Sequence, residues 1–147
     1  MRIIAGTLKG RKIISAPLSH LRPTLGRVKE TLFALLENYV TLQDARLLDI
    51  FAGTGNLGFE ALSRGGQSVV FVEDHPESLK LIAENASRFH VEDRVLSLRA
   101  DCFRGIELLA AQNKTFDVIF MDPPFRKDYM NRILEESRIA GLLAPGG

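Results

Sequence analysis

From residue 46 onward, short aliphatic and β-branched runs alternate with amphipathic segments at a regular spacing, and this rhythm restricts the fold more than any single residue does. Four strand-like runs, Leu47–Phe51, Ser68–Val72, Val95–Arg99 and Phe116–Met121, recur at intervals of 22, 26 and 22 residues when measured between Leu47, Val69, Val95 and Asp117. Each interval holds one strand and one helix and is too long for a hairpin. Strands joined in this way run parallel with right-handed crossovers and bury both sheet faces, so an open α/β sheet with flanking helices is expected. Helices are predicted near 57–64, 75–89, 103–111 and 128–140. Within 75–89, Leu79, Ile82, Ala83, Ala86 and Phe89 make one apolar stripe, and Asp74 and Glu77 stand at capping-box spacing around Pro76.

The first 45 residues precede this rhythm. Arg2–Gly6 and Arg11–Ala16 read as β-like runs around Thr7-Leu8-Lys9-Gly10, a hairpin with basic residues at its tip that is expected to stand as an appendage. Beyond a loop containing Arg22-Pro23-Thr24, the residues Leu25, Val28, Leu32, Leu35, Leu36 and Tyr39 share one helical face, which predicts a helix over about 26–39 packed on the sheet. The expected division is a basic hairpin, loop and helix over 1–45, followed by the domain that carries the chemistry over 46–147. The turn Ala144-Pro145-Gly146-Gly147 should introduce a fifth strand, so the sheet is expected to lack its C-terminal part and to leave strand four as an edge.

A chain of 147 residues with 46% hydrophobic and 25% charged residues is sized and composed for one soluble domain, which excludes disorder and fibre formation. No apolar run approaches the roughly 18 to 20 residues that span a bilayer, and the N-terminus lacks the apolar stretch of a signal peptide. With the single cysteine Cys102 and no Cys or His pair at metal-ligand spacing, the reading is cytoplasmic and metal-free. Charge is divided unevenly. Residues 1–30 carry seven basic side chains against one acidic, and residues 31–147 carry twelve basic against seventeen acidic. A basic arm on an acidic domain points to a polyanionic partner, with Lys9, Arg11, Lys12, Arg22 and Arg27 as candidate phosphate ligands. A solvated basic surface is the alternative.

The strongest local motif is Asp49-Ile50-Phe51-Ala52-Gly53-Thr54-Gly55-Asn56-Leu57-Gly58, between the first strand and a helix. Gly53, Gly55 and Gly58 fit G-x-G-x-x-G, where absent side chains permit a tight turn and close approach of a ligand to the backbone. Glu73 ends the second strand, where a carboxylate can accept from both hydroxyls of an adenosine ribose. NAD and S-adenosylmethionine both satisfy these features. The fourth strand separates them, because it runs into Asp122-Pro123-Pro124-Phe125. There the Asp122 carboxylate and the Pro123 carbonyl can accept both hydrogens of an exocyclic amino group while Phe125 stacks on its base. Pro123 and Pro124 fix the backbone that presents them.

Asp-Pro-Pro-Phe resembles the [DN]-P-P-[YF] motif of amino-group methyltransferases that use S-adenosylmethionine. Met1-Arg2-Ile3-Ile4-Ala5-Gly6, Gly10-Arg11, Arg22-Pro23-Thr24, Phe51-Ala52-Gly53-Thr54-Gly55, Leu57-Gly58 and Glu60-Ala61-Leu62-Ser63-Arg64-Gly65 precede it in the order seen in the RsmD-type guanine-N2 methyltransferases of bacterial small-subunit ribosomal RNA. The resemblance runs over residues 1–147 and implies a Rossmann-like fold with S-adenosyl-L-methionine as cofactor and ribosomal RNA as partner, free or within an assembling small subunit. It implies that Glu73 binds the cofactor ribose, Asp101 and Cys102 border the adenine, Asp49 and the glycine loop hold the methionine end, and Asp122 to Phe125 grip the guanine. Three departures stand out: Leu25-Gly26 replaces a more polar pair, Lys29 stands where arginine is usual, and Phe125 replaces the commoner tyrosine. Adenine-N6 methylation of DNA, NAD-dependent redox chemistry and non-catalytic RNA binding are the competing readings.

Overall fold

The computed structural model describes residues 1–15, 26–123 and 127–147. Strands β1 (Arg46–Ile50), β2 (Ser68–Glu73), β3 (Val95–Arg99) and β4 (Val118–Met121) form one parallel sheet in the order β3-β2-β1-β4. The expected α/β architecture is what the chain adopts. Helices α1 (Gly26–Leu36), α2 (Asn56–Ser63), α3 (Pro76–Phe89), α4 (Cys102–Ala111), α5 (Lys127–Glu135) and α6 (Ser137–Leu142) flank it.

Alternation along the strands divides the core in two. Leu47, Val69, Phe71, Val118 and Phe120 pack with Phe33, Phe59, Ile82 and Phe89 from α1, α2 and α3. Leu48, Ile50 and Val72 point the other way, onto Ile106, Leu109, Ile133, Ile139 and Leu142 from α4, α5 and α6. Burial on both faces explains the nearly continuous apolar reading of β1 and β2.

Several expectations change in detail. The predicted 128–140 helix is two helices, because the Glu136 carboxylate accepts from the Arg138 N–H and caps a new start. The N-cap of α3 is His75 with no side-chain cap bond, so the Asp74–Glu77 capping box does not form. Ala83 is exposed, and Ser78 and Asn85 complete the buried face with Ile82, Ala86 and Phe89. Phe116 lies outside β4: its N–H donates to the Leu142 carbonyl and its carbonyl accepts from Ala144, which brings residues 142–144 against the β4 edge of the sheet, on the side away from β1.

The N-terminal segment departs most. Arg2 and Lys12 form an antiparallel bridge around a turn at residues 6–10, but Ile3, Leu8 and Ile13 are buried in the main core. The hairpin is therefore seated in the fold and is not an appendage. Its backbone is held by α2 and α3: Ile4 and Ala5 N–H donate to the Glu60 carboxylate, Leu8 N–H to Ser63 Oγ, and Ile14 N–H to Asn85 Oδ1. In α1 the apolar face predicted to pack is largely outside, with Val28, Leu32, Leu35 and Tyr39 exposed and Leu36 partly buried. Leu25 lies outside the described residues. The inward face is Lys29 and Phe33. Lys29 Nζ reaches Glu60 at 2.9 Å, Asn56 Oδ1 at 2.9 Å and the Arg2 carbonyl at 2.8 Å, while Phe33 packs on Phe120 beneath the Arg64 guanidinium. Lys29 can lie inside because three acceptors meet its ammonium, as a buried charge requires.

Candidate active site

The turn out of β1 is built from unusual backbone. Phe51 takes φ 65°, Gly53 φ 56° and Gly55 φ 79° before α2 begins at Asn56. A Cβ on Gly55 would stand 2.7 Å from the Phe59 ring, and one on Gly58 would stand 2.4 Å from Phe71 in β2. Gly55 thus serves the left-handed turn and Gly58 the close approach of α2 to the sheet, as G-x-G-x-x-G requires.

Carboxyl groups converge where the strands end. Asp49 is buried and its Oδ2 accepts from Gly58 N–H at 3.0 Å. Burial pushes its carboxyl up to about 8, and the charges of Asp122 and Glu73 add to the rise. Glu73 Oε2 accepts from Gly53 N–H at 2.7 Å, and Oε1 accepts from Asp74 and His75 N–H at 3.0 Å each. Burial raises this carboxyl also, against the backbone donors. Glu73 therefore ties the glycine loop to the end of β2. Of the roughly four acceptor positions on a carboxylate, three are occupied, so in this geometry there is room for about one ribose hydroxyl where the sequence led us to expect two.

Pairing of Ile50 with Met121 carries the exposed Asp122 and the partly buried Pro123 beside the turn at Phe51. The crevice between β1 and β4 is where the strand order reverses, the usual ligand position in such sheets. Pro124 and Phe125 lie outside the described residues, as does Arg22. Beyond β3, Asp101 caps α4 by accepting from Phe103 and Arg104 N–H. Cys102 is buried, with its thiol pushed up by desolvation, so its contribution is shape and not reactivity. Phe103 stacks on Tyr129 with ring centroids 6.0 Å apart, and Phe51 meets the same ring edge-on. Glu73, Asp74 and His75 bring ligand atoms within 4.8 Å of one another, but both Glu73 oxygens accept backbone N–H groups.

Lys9, Arg11 and Lys12 are exposed on the hairpin and Arg27 on α1. Arg11 Nη1 donates to the Arg88 carbonyl at 3.0 Å, which sets the exposed Arg88 of α3 beside the hairpin cations. Sequence reading passed over Arg88 and Asn56, since nothing local distinguishes them. Only the docked hairpin gives Arg88 its neighbours, and only the buried Lys29 gives Asn56 a fixed orientation.

Acceptors and donors at the site suit a ligand with positive charge near β1 and β4, an adenosine ribose near β2, and an acceptor group near the start of α2. An adenosyl sulfonium amino acid has all three, so the residues present fit S-adenosylmethionine.

Residues 1–147 match the family described as Conserved hypothetical protein 95. The Ribosomal RNA small subunit methyltransferase D of Escherichia coli (strain K12) is 37% identical over 145 residues, covering 98% of this chain and 70% of that protein. The protein of the same name from Buchnera aphidicola subsp. Acyrthosiphon pisum is 33% identical over 132 residues, covering 90% of this chain and 66% of its own length. Among solved structures, the hypothetical protein TTHA0928 of Thermus thermophilus superimposes with a TM-score of 0.83 at 31% identity, covering 98% of this chain and 80% of that one.

Proposed function

The chain belongs to the RsmD family, described as Conserved hypothetical protein 95, and from that membership we propose that it methylates the N2 amino group of a guanine in small-subunit ribosomal RNA, using S-adenosylmethionine. The observation that carries the choice of cofactor is the convergence of Asp49, Glu73 and Asp122 at the ends of β1, β2 and β4. A dinucleotide would bring an anionic pyrophosphate against these carboxyls, whereas a sulfonium cation relieves their mutual repulsion.

The cofactor supplies a methyl group already activated by a positive sulfur. The protein's task is then mainly proximity and orientation. The glycine loop lets the ligand lie on bare backbone, and Glu73 accepts from the ribose. Asp101 and Cys102 border the adenine, and Asp49 stands at the methionine end. Asp122 accepts one hydrogen of the guanine amine and the Pro123 carbonyl the other, which turns the nitrogen lone pair out of conjugation; Pro124 keeps the segment rigid and Phe125 stacks on the base. Because the amine becomes acidic only as its bond to carbon forms, Asp122 serves first as a hydrogen-bond acceptor and then as the site to which the proton leaves. Lys9, Arg11, Lys12, Arg22 and Arg27 hold RNA phosphates. No helix among the described residues is long and apolar enough to cross a membrane.

Transfer of a labelled methyl group to small-subunit ribosomal RNA, DNA and free protein, followed by identification of the modified nucleoside, tests this reading. N2-methylguanosine in RNA is expected. N6-methyladenine in DNA would instead favour the related DNA chemistry, and RNA binding without transfer would mark a non-catalytic module. Asp122→Ala is expected to retain cofactor binding, since Glu73 and the glycine loop remain, and to lose transfer.

A further inference from the structure

The first residue of α2 carries a buried donor that nothing among the described residues satisfies. Asn56 is 6% exposed, and its Oδ1 accepts from Lys29 Nζ. Lys29 is spent on three acceptors, Asn56 Oδ1, the Arg2 carbonyl and Glu60, and Glu60 is itself fixed by Ile4 N–H, Ala5 N–H and Arg64. Flipping the amide would turn its NH2 group against an ammonium and forfeit the acceptor. Nδ2 is therefore locked on the arm of the amide that faces away from Lys29. It is the buried side-chain nitrogen without a hydrogen-bond partner among the described residues.

Such an unmet donor is costly, so a native fold that keeps one gives reason to look for an absent acceptor. The backbone around it has the same demand. Gly58 N–H is taken by Asp49 and Phe59 N–H by the Gly55 carbonyl, but Asn56 and Leu57 N–H, the first of the helix, have no acceptor among the described residues. The positive end of the helix dipole adds to the preference for an anion.

Resting on the cofactor assigned above, we propose that Asn56, oriented by Lys29, donates through Nδ2 to the carboxylate at the amino-acid end of the bound cofactor. Lys29 acts as a positioning residue: it fixes which way the amide points and does not itself reach the ligand.

The test is calorimetric titration of the full chain with S-adenosylhomocysteine and with its decarboxylated analogue, which keeps the adenosine, sulfur and amine. The unsubstituted chain is expected to prefer the carboxylated ligand by roughly ten-fold or more, as a charge-assisted hydrogen bond predicts. Asn56→Asp keeps an acceptor for Lys29 but loses the donor and sets a like charge beside the carboxylate, and should abolish that preference; Asn56→Ala removes the donor alone and should reduce it several-fold, the loss falling on the carboxylated ligand. An equal loss for both ligands would assign Asn56 a structural role only, and an undiminished preference would remove it from the site. If the unsubstituted chain binds neither ligand, the cofactor reading itself fails, a result distinct from either of these.

Discussion

Asp49 shows how a single buried carboxyl sets a pH dependence. Its folded value of about 8 lies above the ordinary 3.8, so between those limits the folded chain holds a proton that the unfolded chain has released. Stability therefore falls as pH rises from about 4 to about 8 and levels off above. Glu73 is shifted in the same direction, so the contribution of Asp49 is isolated by substitution. Asp49→Asn, which keeps an acceptor for Gly58 N–H, is expected to flatten the decline; urea unfolding at pH 5.5 and pH 8 measures it, and equal losses in both proteins would contradict the assignment. At Glu73 three backbone N–H groups share one carboxylate. Glu73→Ala is expected to lower the unfolding free energy by about 1.5–3 kcal/mol, the worth of hydrogen bonds to a charged group, as well as weakening cofactor binding. Unchanged stability in thermal melts would mean that the loop holds its shape without this tie.

Elements are joined by the same kind of contact. The first hairpin, α1 and α2 meet at Lys29 and Glu60, both fully enclosed. Burial alone would raise the Glu60 carboxyl, but Ile4 N–H, Lys29 and Arg64 together hold it below the ordinary carboxylate range. Removing one partner strands the other: Glu60→Ala is expected to cost about 3–5 kcal/mol, and Lys29→Met combined with Glu60→Gln less than the sum of the two single changes. A double-mutant cycle in urea reads this coupling directly, and simple additivity would show that the two groups do not act as a pair. Rotation of α1 to serve Glu60 also explains why Val28, Leu32, Leu35 and Tyr39 face solvent.

For the whole molecule, the basic charge gathered at the start of the chain is extended on the surface by a residue from α3, since Arg11 of the hairpin donates to the Arg88 carbonyl and both side chains are exposed. If Lys9, Arg11, Lys12 and Arg88 contact phosphates, replacing each is expected to reduce the slope of log affinity for RNA against log salt by roughly 0.7 to 0.9, with little change in cofactor affinity. An unaltered slope in filter-binding measurements would leave the patch as ordinary solvated surface. What the sequence by itself determined is the part governed by short-range periodicity and backbone geometry. The βα spacing specifies the parallel sheet, G-x-G-x-x-G specifies the turn at Gly53 and Gly55, and the ends of strands locate Asp49, Glu73 and Asp122. Only the tertiary structure decided which face of α1 is buried, that the hairpin is part of the core, that the Glu73 carboxylate closes on Gly53, and that Asn56 is left with an unmet donor. Periodicity counts a lysine as polar and turns it outward. The partner that holds Lys29 inside comes from a distant helix, and a buried charge is stable only where the fold delivers that partner.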